Sequence, residues 1–171
     1  MRRRHALSLL LGAVAGVSPA ATWAQTRTPR LGILFVGNPE PHLRQFRDGL
    51  RQLGYVDGRT VQLDVRTAEG QLDRLPVLAA EFVARKVDVI VAFQTPAVTA
   101  AKGATSDIPI VMASAGDPVA TGLVASLARP GGNITGMSST SAELGGKLME
   151  LVREMLPPAR RVAVLANATD P

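Results

Sequence analysis

The sequence contains no cysteine among its 171 residues. That absence excludes a disulfide framework, a thiolate metal site, a cysteine nucleophile and a lipid anchor on an N-terminal cysteine. Aromatic residues are also scarce, at 4% of the chain, which favours helices packed closely on a parallel sheet over an aromatic-rich β-sandwich. Because 46% of the residues are hydrophobic and only 19% are charged, the chain can bury a core. The composition indicates an α/β protein.

The motifs of several common enzyme classes are missing as well. The sequence has no Walker motif, no Gly-x-Gly-x-x-Gly, no nucleophile elbow and no His-Glu-x-x-His. Its histidines are His5 and His42, and we interpret His42 as a helix-start residue, with a catalytic base or a ligand contact as alternatives. Ser114 has no evident base partner. We therefore expect no catalytic residue, metal or cofactor, against the alternative of an enzyme on a flavodoxin-like sheet.

The formal charge of +5 comes from 19 basic and 14 acidic residues. Three of the basic residues are arginines at positions 2 to 4, within a segment that we expect to be removed, so the mature chain is nearly balanced. No basic stripe is interleaved with aromatic residues, as a nucleic-acid-binding surface would require. We expect no nucleic-acid partner.

The N-terminus has the three parts of a secretory signal peptide. Residues 1–5 are positively charged, residues 6–17 are apolar, and small residues follow, with Ala20 or Ala24 as the last residue before cleavage. Since twelve apolar residues are too few to span a bilayer comfortably, we predict a signal peptide at 1–24. Export to the periplasm follows, with no stable membrane insertion after cleavage. A short buried helix or membrane anchor is the alternative, and the pattern leaves the Sec and twin-arginine routes open.

Downstream of this segment, short apolar runs alternate with amphipathic ones. A continuous run rich in β-branched residues is typical of a strand buried on both faces of a parallel sheet, and apolar spacing of three and four is typical of a helix. The predicted strands are 30–36, 60–65, 87–93, 108–113, 134–137 and 161–166, with 60–65 at a sheet edge. The predicted helices are 42–53, 75–86, 96–103, 119–127 and 143–156. This alternation predicts a doubly wound parallel sheet.

The loops after the strands are the predicted site, because ligands of open α/β sheets bind at the carboxyl ends of the strands. Strand order is left open, but the order 2-1-3-4-5 would face residues 36–38 against residues 93–96. We expect residues 93–96 to line the site. Thr95 before Pro96, and Asp117 before Pro118, match a capping residue followed by the first residue of a helix. Either cap could instead face a ligand, and free N–H groups there would form a weak anion site.

Several runs resemble the periplasmic substrate-binding proteins of ABC transporters, and within them the branch that includes tryptophan and aromatic amino acid binders. These runs are residues 46–58, 75–83, 86–92, 116–119 and 123–136. The resemblance implies two α/β lobes of the type I periplasmic-binding-protein fold that close on a solute. It also implies separate permease and ATPase subunits as partners.

The resemblance further implies ligand contacts on particular loops. They are Val36, Gly37 and Asn38; Gln94, Thr95 and Pro96; Ser114, Gly116, Asp117 and Pro118; and Asn167 from the second lobe. It divides the chain into a signal peptide at 1–24, a first lobe at 29–138, and a hinge with the beginning of an incomplete second lobe at 139–171.

These expectations favour the solute-binding component of an ABC importer, which captures a small organic solute between its lobes. The alternative is a sensor module of the same fold that signals to a membrane receptor. The sequence does not identify the solute, for which an amino acid is one candidate.

Overall fold

A computed structural model describes residues 27–40, 42–139, 141–158 and 160–163. Its strands are β1 (Arg30–Phe35), β2 (Gln62–Thr67), β3 (Val89–Phe93), β4 (Ile110–Ala115) and β5 (Ile134–Ser138). Its helices are α1 (His42–Gln52), α2 (Leu75–Ala84), α3 (Thr95–Ala104) and α4 (Ser141–Met155), and a 3-10 turn at Leu72–Arg74 precedes α2. The predicted signal peptide and Asn167 lie outside the described residues.

All five strands are parallel and form one sheet in the order β2-β1-β3-β4-β5. The chain therefore places β2 on one side of β1 and then adds β3, β4 and β5 in turn on the other side. The segments that follow β1 and β3 run to opposite faces of the sheet, to α1 and α3, and ligand crevices form at such a switch point in doubly wound sheets. The prediction of an α/β fold is confirmed. The strand order is 2-1-3-4-5, the one that would face residues 36–38 against residues 93–96.

Helices cover both faces of the sheet. On one face Phe82 of α2 and Val98 of α3 pack with Ile90 of β3 in the larger hydrophobic core. On the other face Leu43 of α1 packs with Ile33 of β1 in a smaller core. Because side chains alternate between the faces of a strand, the strands contribute residues to both cores.

The edge strand β2 has a partly wet surface, as its alternating pattern predicted. Five of its six residues are half-buried. Arg66 bonds to Glu81 of α2 at 2.9 Å, and Asp64 pairs with Arg85 at 3.1 Å. The hydrogen bond to Glu81 is the main reason that the pKa of Arg66 is raised. Charged pairs thus fasten the edge strand to α2.

The predicted helix at 119–127 is wrong. A single turn follows Asp117, whose carboxylate accepts the N–H groups of Val119 and Ala120 at 3.0 and 2.9 Å. The turn ends at Gly122, which has a left-handed backbone with φ of 68°. Lys102 of α3 donates to the Gly122 carbonyl at 2.6 Å, so that carbonyl is held by a side chain of α3.

Two further expectations need correction. Thr95 is not the cap of α3, because Gln94 occupies that position and Thr95 is the first helical residue. Of the predicted strand at 161–166, residues 161–163 are irregular, and the rest lies outside the described residues.

The exposed apolar residues of α4 include Leu144, Leu148 and Leu151. Within the described part of the chain, no helix has the length and apolar character needed to cross a membrane.

Candidate functional site

A cavity of about 220 Å³ opens at the carboxyl edge of the sheet, above the switch point between β1 and β3. Its lining comes from the ends of β1, β3 and β4 and from the first residue of α1. The lining residues are Phe35, Gly37, Asn38, His42, Phe93, Gln94 and Ser114. Three strands and a helix thus deliver aromatic and polar side chains to one opening.

Aromatic rings form one wall of this cavity. The rings of Phe35 and Phe93 stack with their centroids 4.3 Å apart and an interplanar angle of 18°. Phe35 is buried, whereas Phe93 is half-buried. The imidazole of His42 stands across Phe93, with centroids 5.9 Å apart and an angle of 60°. We refer to Phe35, Phe93 and His42 as the aromatic wall.

Two polar lining residues have an unusual backbone. Gln94 has a φ of 70° and Ser114 a φ of 67°, in the left-handed region that non-glycine residues rarely adopt. Ser114 lies where the β4–β5 register shifts between Ala113 and Ala115. Non-glycine residues in sparsely populated conformations cluster at binding and catalytic sites. Both side chains are exposed and line the cavity, so the two residues with a strained backbone lie at its opening.

Hydrogen bonds hold the loop after β1 in place. The hydroxyl of Thr67 donates to the Gly37 carbonyl at 2.6 Å, and the N–H of Gly70 donates to the Val36 carbonyl at 2.8 Å. The Asn38 side chain accepts the N–H of Glu40 at 3.0 Å. Gly37 and Asn38 therefore reach the cavity from a loop that β2 anchors, while Val36 packs against the larger core.

Thr95 joins the loops after β3 and β4. Its buried hydroxyl accepts the N–H of Gly116 at 2.9 Å. Thr95 and Pro96 do not line the cavity, and instead line a mostly apolar groove of about 410 Å³ on the α2 and α3 side of the sheet, with Leu75 and Thr121 among their neighbours. Thr95 thus lies outside the cavity and holds together the two loops that follow β3 and β4.

The remaining predicted contacts lie near the cavity without lining it. Gly116 is bonded to Thr95, Asp117 caps the turn with its carboxylate, and Pro118 is fully buried. The N–H groups at this turn are thus already partnered by Asp117, and no helix follows them. Among the predicted residues in the described part of the chain, the structure brings Gly37, Asn38, Gln94 and Ser114 together.

Two lining residues were absent from the predicted set. Phe35 precedes Gly37 by two positions, and residues two apart on a strand face the same way, so alternation could have indicated it. His42 begins the helix that follows the β1 loop, and such helix starts lie at the carboxyl edge of a parallel sheet. Its role was left between a helix start and a ligand contact, and the structure places it as both a helix start and a lining residue.

The chemistry of the lining suits recognition of a solute with a planar group. It offers stacked rings, an amide from Asn38, an amide from Gln94 and a hydroxyl from Ser114. The described residues contain no cluster of three or more histidine, cysteine or acidic side chains that could hold a metal ion. The parallel sheet, the switch-point cavity and these polar side chains are the features that a ligand-binding α/β protein presents.

Residues 41–170 match the family of ABC transporter substrate binding proteins, and the chain belongs to that family. Its members are substrate-binding proteins and not enzymes, which agrees with the sequence-based predictions. A relative, the tyrosine-binding protein of Clostridioides difficile (strain R20291), is 38% identical over 125 residues. That alignment covers 73% of this chain and 36% of the relative.

Solved structures show the same fold. A conserved domain protein from Vibrio cholerae matches with a TM-score of 0.68 and 34% identity, over 77% of this chain and 45% of its own. A ligand-free, open substrate-binding protein with adhesive properties from Clostridium difficile gives 0.64 and 32%, with the same coverage. An ABC domain in complex with L-Trp from Streptococcus pneumonia gives 0.60 and 34%, over 66% of this chain and 39% of its own. The matched part of the chain thus covers less than half of each of these proteins.

Proposed function

We propose that this protein is the extracytoplasmic solute-binding component of an ABC importer, and that its solute is an aromatic amino acid. The observation that carries the proposal is the cavity at the switch point, where stacked aromatic rings adjoin three neutral polar side chains. An aromatic solute side chain can stack on the half-buried Phe93, while Asn38, Gln94 and Ser114 offer hydrogen bonds to its polar atoms.

The size of the cavity supports a site shared with a second lobe. At about 220 Å³ it is smaller than the roughly 300–1,000 Å³ typical of pockets that bury a small ligand. The relatives are more than twice as long as the matched part of this chain. In the proposed protein the rest of the pocket comes from a second lobe that begins near residue 139, with Asn167 among its contacts.

The proposed partners follow from the family. A substrate-binding protein of an ABC transporter delivers its solute to a permease, and a separate ATPase drives transport. The signal peptide predicted at 1–24 supports a periplasmic location for the binding protein. Relatives named for tyrosine and solved with L-Trp support an aromatic amino acid as the solute.

Calorimetric titration of the full mature chain, meaning the protein from residue 25 through its complete second lobe, tests the proposal. L-Tyr, L-Trp and L-Phe are compared with L-Leu and succinate as non-aromatic solutes. We expect saturable binding of at least one aromatic amino acid and none of L-Leu or succinate. Gln94→Ala should weaken that binding about tenfold, since it removes a polar contact at the opening. Gln52→Ala, at an exposed position in the last turn of α1, is the matched control. Equal binding of all five solutes, or of none, would contradict the proposal.

A further inference from the structure

His42 differs in chemistry from the other residues that line the cavity. Among the seven described lining residues it is the one with an ionisable side chain, and it lies on the aromatic wall. A neutral imidazole carries one N–H donor and one nitrogen acceptor on a rigid ring. It can therefore pair with a hydroxyl or with an N–H group of a ligand.

The position of the imidazole relative to Phe93 decides what it can reach. Aromatic rings stack or meet edge-on with their centroids about 4.5–7 Å apart. The centroid of His42 is 5.9 Å from that of Phe93, at an angle of 60°. A solute ring stacked on Phe93 would therefore lie close to the imidazole, and a polar atom on that ring is the group with which the imidazole could pair.

The surroundings leave the imidazole free for such a contact. The nearest charged side chains on its own segment, Glu40 and Arg44, pair with each other at 3.6 Å. The polar side chains that line the cavity from the loops after β1 and β3 and from β4 are all neutral; they are Asn38, Gln94 and Ser114. No neighbouring charge competes for the imidazole among the described lining residues.

We infer that His42 is a specificity-determining residue, which hydrogen-bonds a polar atom on the ring of an aromatic solute stacked on Phe93. The phenol of tyrosine and the indole N–H of tryptophan provide such an atom, and the phenyl ring of phenylalanine does not. His42 is exposed in this lobe, so the discrimination requires that the bound solute and the second lobe bury it; a site that leaves a buried polar group unpaired discriminates strongly against the analogue lacking the partner. The inference rests on the proposed function and assigns His42 the choice among aromatic solutes.

The test measures the affinity of the full mature chain for L-Tyr, L-Trp and L-Phe by calorimetry, before and after His42→Phe. Phenylalanine at position 42 keeps an aromatic ring and removes both nitrogens. We expect the native chain to prefer L-Tyr or L-Trp over L-Phe by about tenfold or more. His42→Phe should reduce that ratio by about tenfold while affinity for L-Phe stays the same or rises.

Two controls separate recognition from structure. Gln45→Phe adds a phenylalanine at an exposed position of α1 outside the cavity lining, and it should leave all three affinities unchanged. His42→Gln retains a donor and an acceptor without the ring, and should restore part of the preference. Thermal unfolding of each variant shows whether the fold is retained.

Each outcome bears on the inference. An unchanged ratio in His42→Phe, an equal loss of affinity for all three amino acids, or native binding of L-Phe as tight as that of L-Tyr and L-Trp would overturn it while leaving the proposed function standing. Absence of binding to all three by the native chain would overturn the proposed function and the inference with it.

Discussion

The hydroxyl of Thr95 accepts the backbone N–H of Gly116 at 2.9 Å, across 21 residues of sequence. This bond ties the first residue of α3 to the loop after β4. Gln94 precedes Thr95 and Ser114 lies two residues before Gly116, so both strained residues of the cavity flank the same bond. It adds to the β3–β4 ladder in holding the two loops together at the opening.

Thr95→Val keeps the shape of the side chain and removes the acceptor. We expect a loss of about 1–3 kcal/mol in the free energy of unfolding, because the N–H of Gly116 loses its partner next to a buried position. Solute affinity should fall as well, since the two loops are no longer tied. Thr95→Ser retains the hydroxyl and should behave like the native chain in denaturant titration and in calorimetry. Equal stability of the valine and serine variants would contradict the role given to this bond.

Gln94→Gly and Gln94→Ala make a matched pair at a left-handed residue. Both remove the side chain from the cavity, so both should weaken solute binding about equally. Glycine adopts a φ of 70° without steric cost, whereas alanine pays about 1–2 kcal/mol for it. We expect the glycine variant to be more stable than the alanine variant by about 1 kcal/mol, measured by denaturant titration. The same comparison at Ser114 should give the same order; alanine variants as stable as the glycine ones would show that the left-handed backbone is relaxed in solution.

Gly136→Ala tests the packing of β5 against β4. An added Cβ would lie 2.1 Å from the carbonyl oxygen of Met112, at a φ of 140°. We expect a loss of about 3 kcal/mol or more, or failure to fold, because backbone must move to relieve the contact. Gly132→Ala, four residues earlier, meets nothing within 4 Å and should change the melting temperature little. A mild effect of Gly136→Ala would argue against the strand pairing described for β5.

Asp88 links the pH dependence of stability to the start of β1. The N–H of Arg30 at 2.7 Å, and then the guanidinium of Arg27 at 2.8 Å, hold the pKa of Asp88 below its ordinary value of 3.8. A carboxyl with a lowered folded pKa stabilises the protein above its unfolded pKa, and that contribution is lost as the pH falls through the folded value.

Asp88→Asn should therefore lower the melting temperature at pH 7, with a difference that narrows as the pH falls below about 3.8. Asp73→Asn is the control, since Asp73 is exposed in the 3-10 turn and makes no ion pair among the described residues. Melting curves between pH 2 and 7 measure both. A difference that stays constant over this range would contradict the role of the ionised carboxylate.

The strands of the sheet and the helices that pack on it were predictable because their hydrophobic patterns are local. The apolar β-branched run ending at Phe93 indicates a buried strand, and the spacing of Leu43, Phe46 and Leu50 indicates a helix. The wetter alternation at 60–65 indicated an edge strand, and β2 is one. The helix predicted at 119–127 was wrong, because the turn there is fixed by Asp117 and by Lys102 of α3, which is distant in the sequence.

The sequence by itself determined the class of fold and the edge of the sheet where the proposed site lies, since periodicity and the order of elements encode both. The tertiary structure decided which side chains meet there. It stacked Phe35 on Phe93, brought His42 across that ring, and turned Thr95 away from the cavity to hold Gly116. Those outcomes depend on strand order, which is settled by contacts between segments that are distant in the chain.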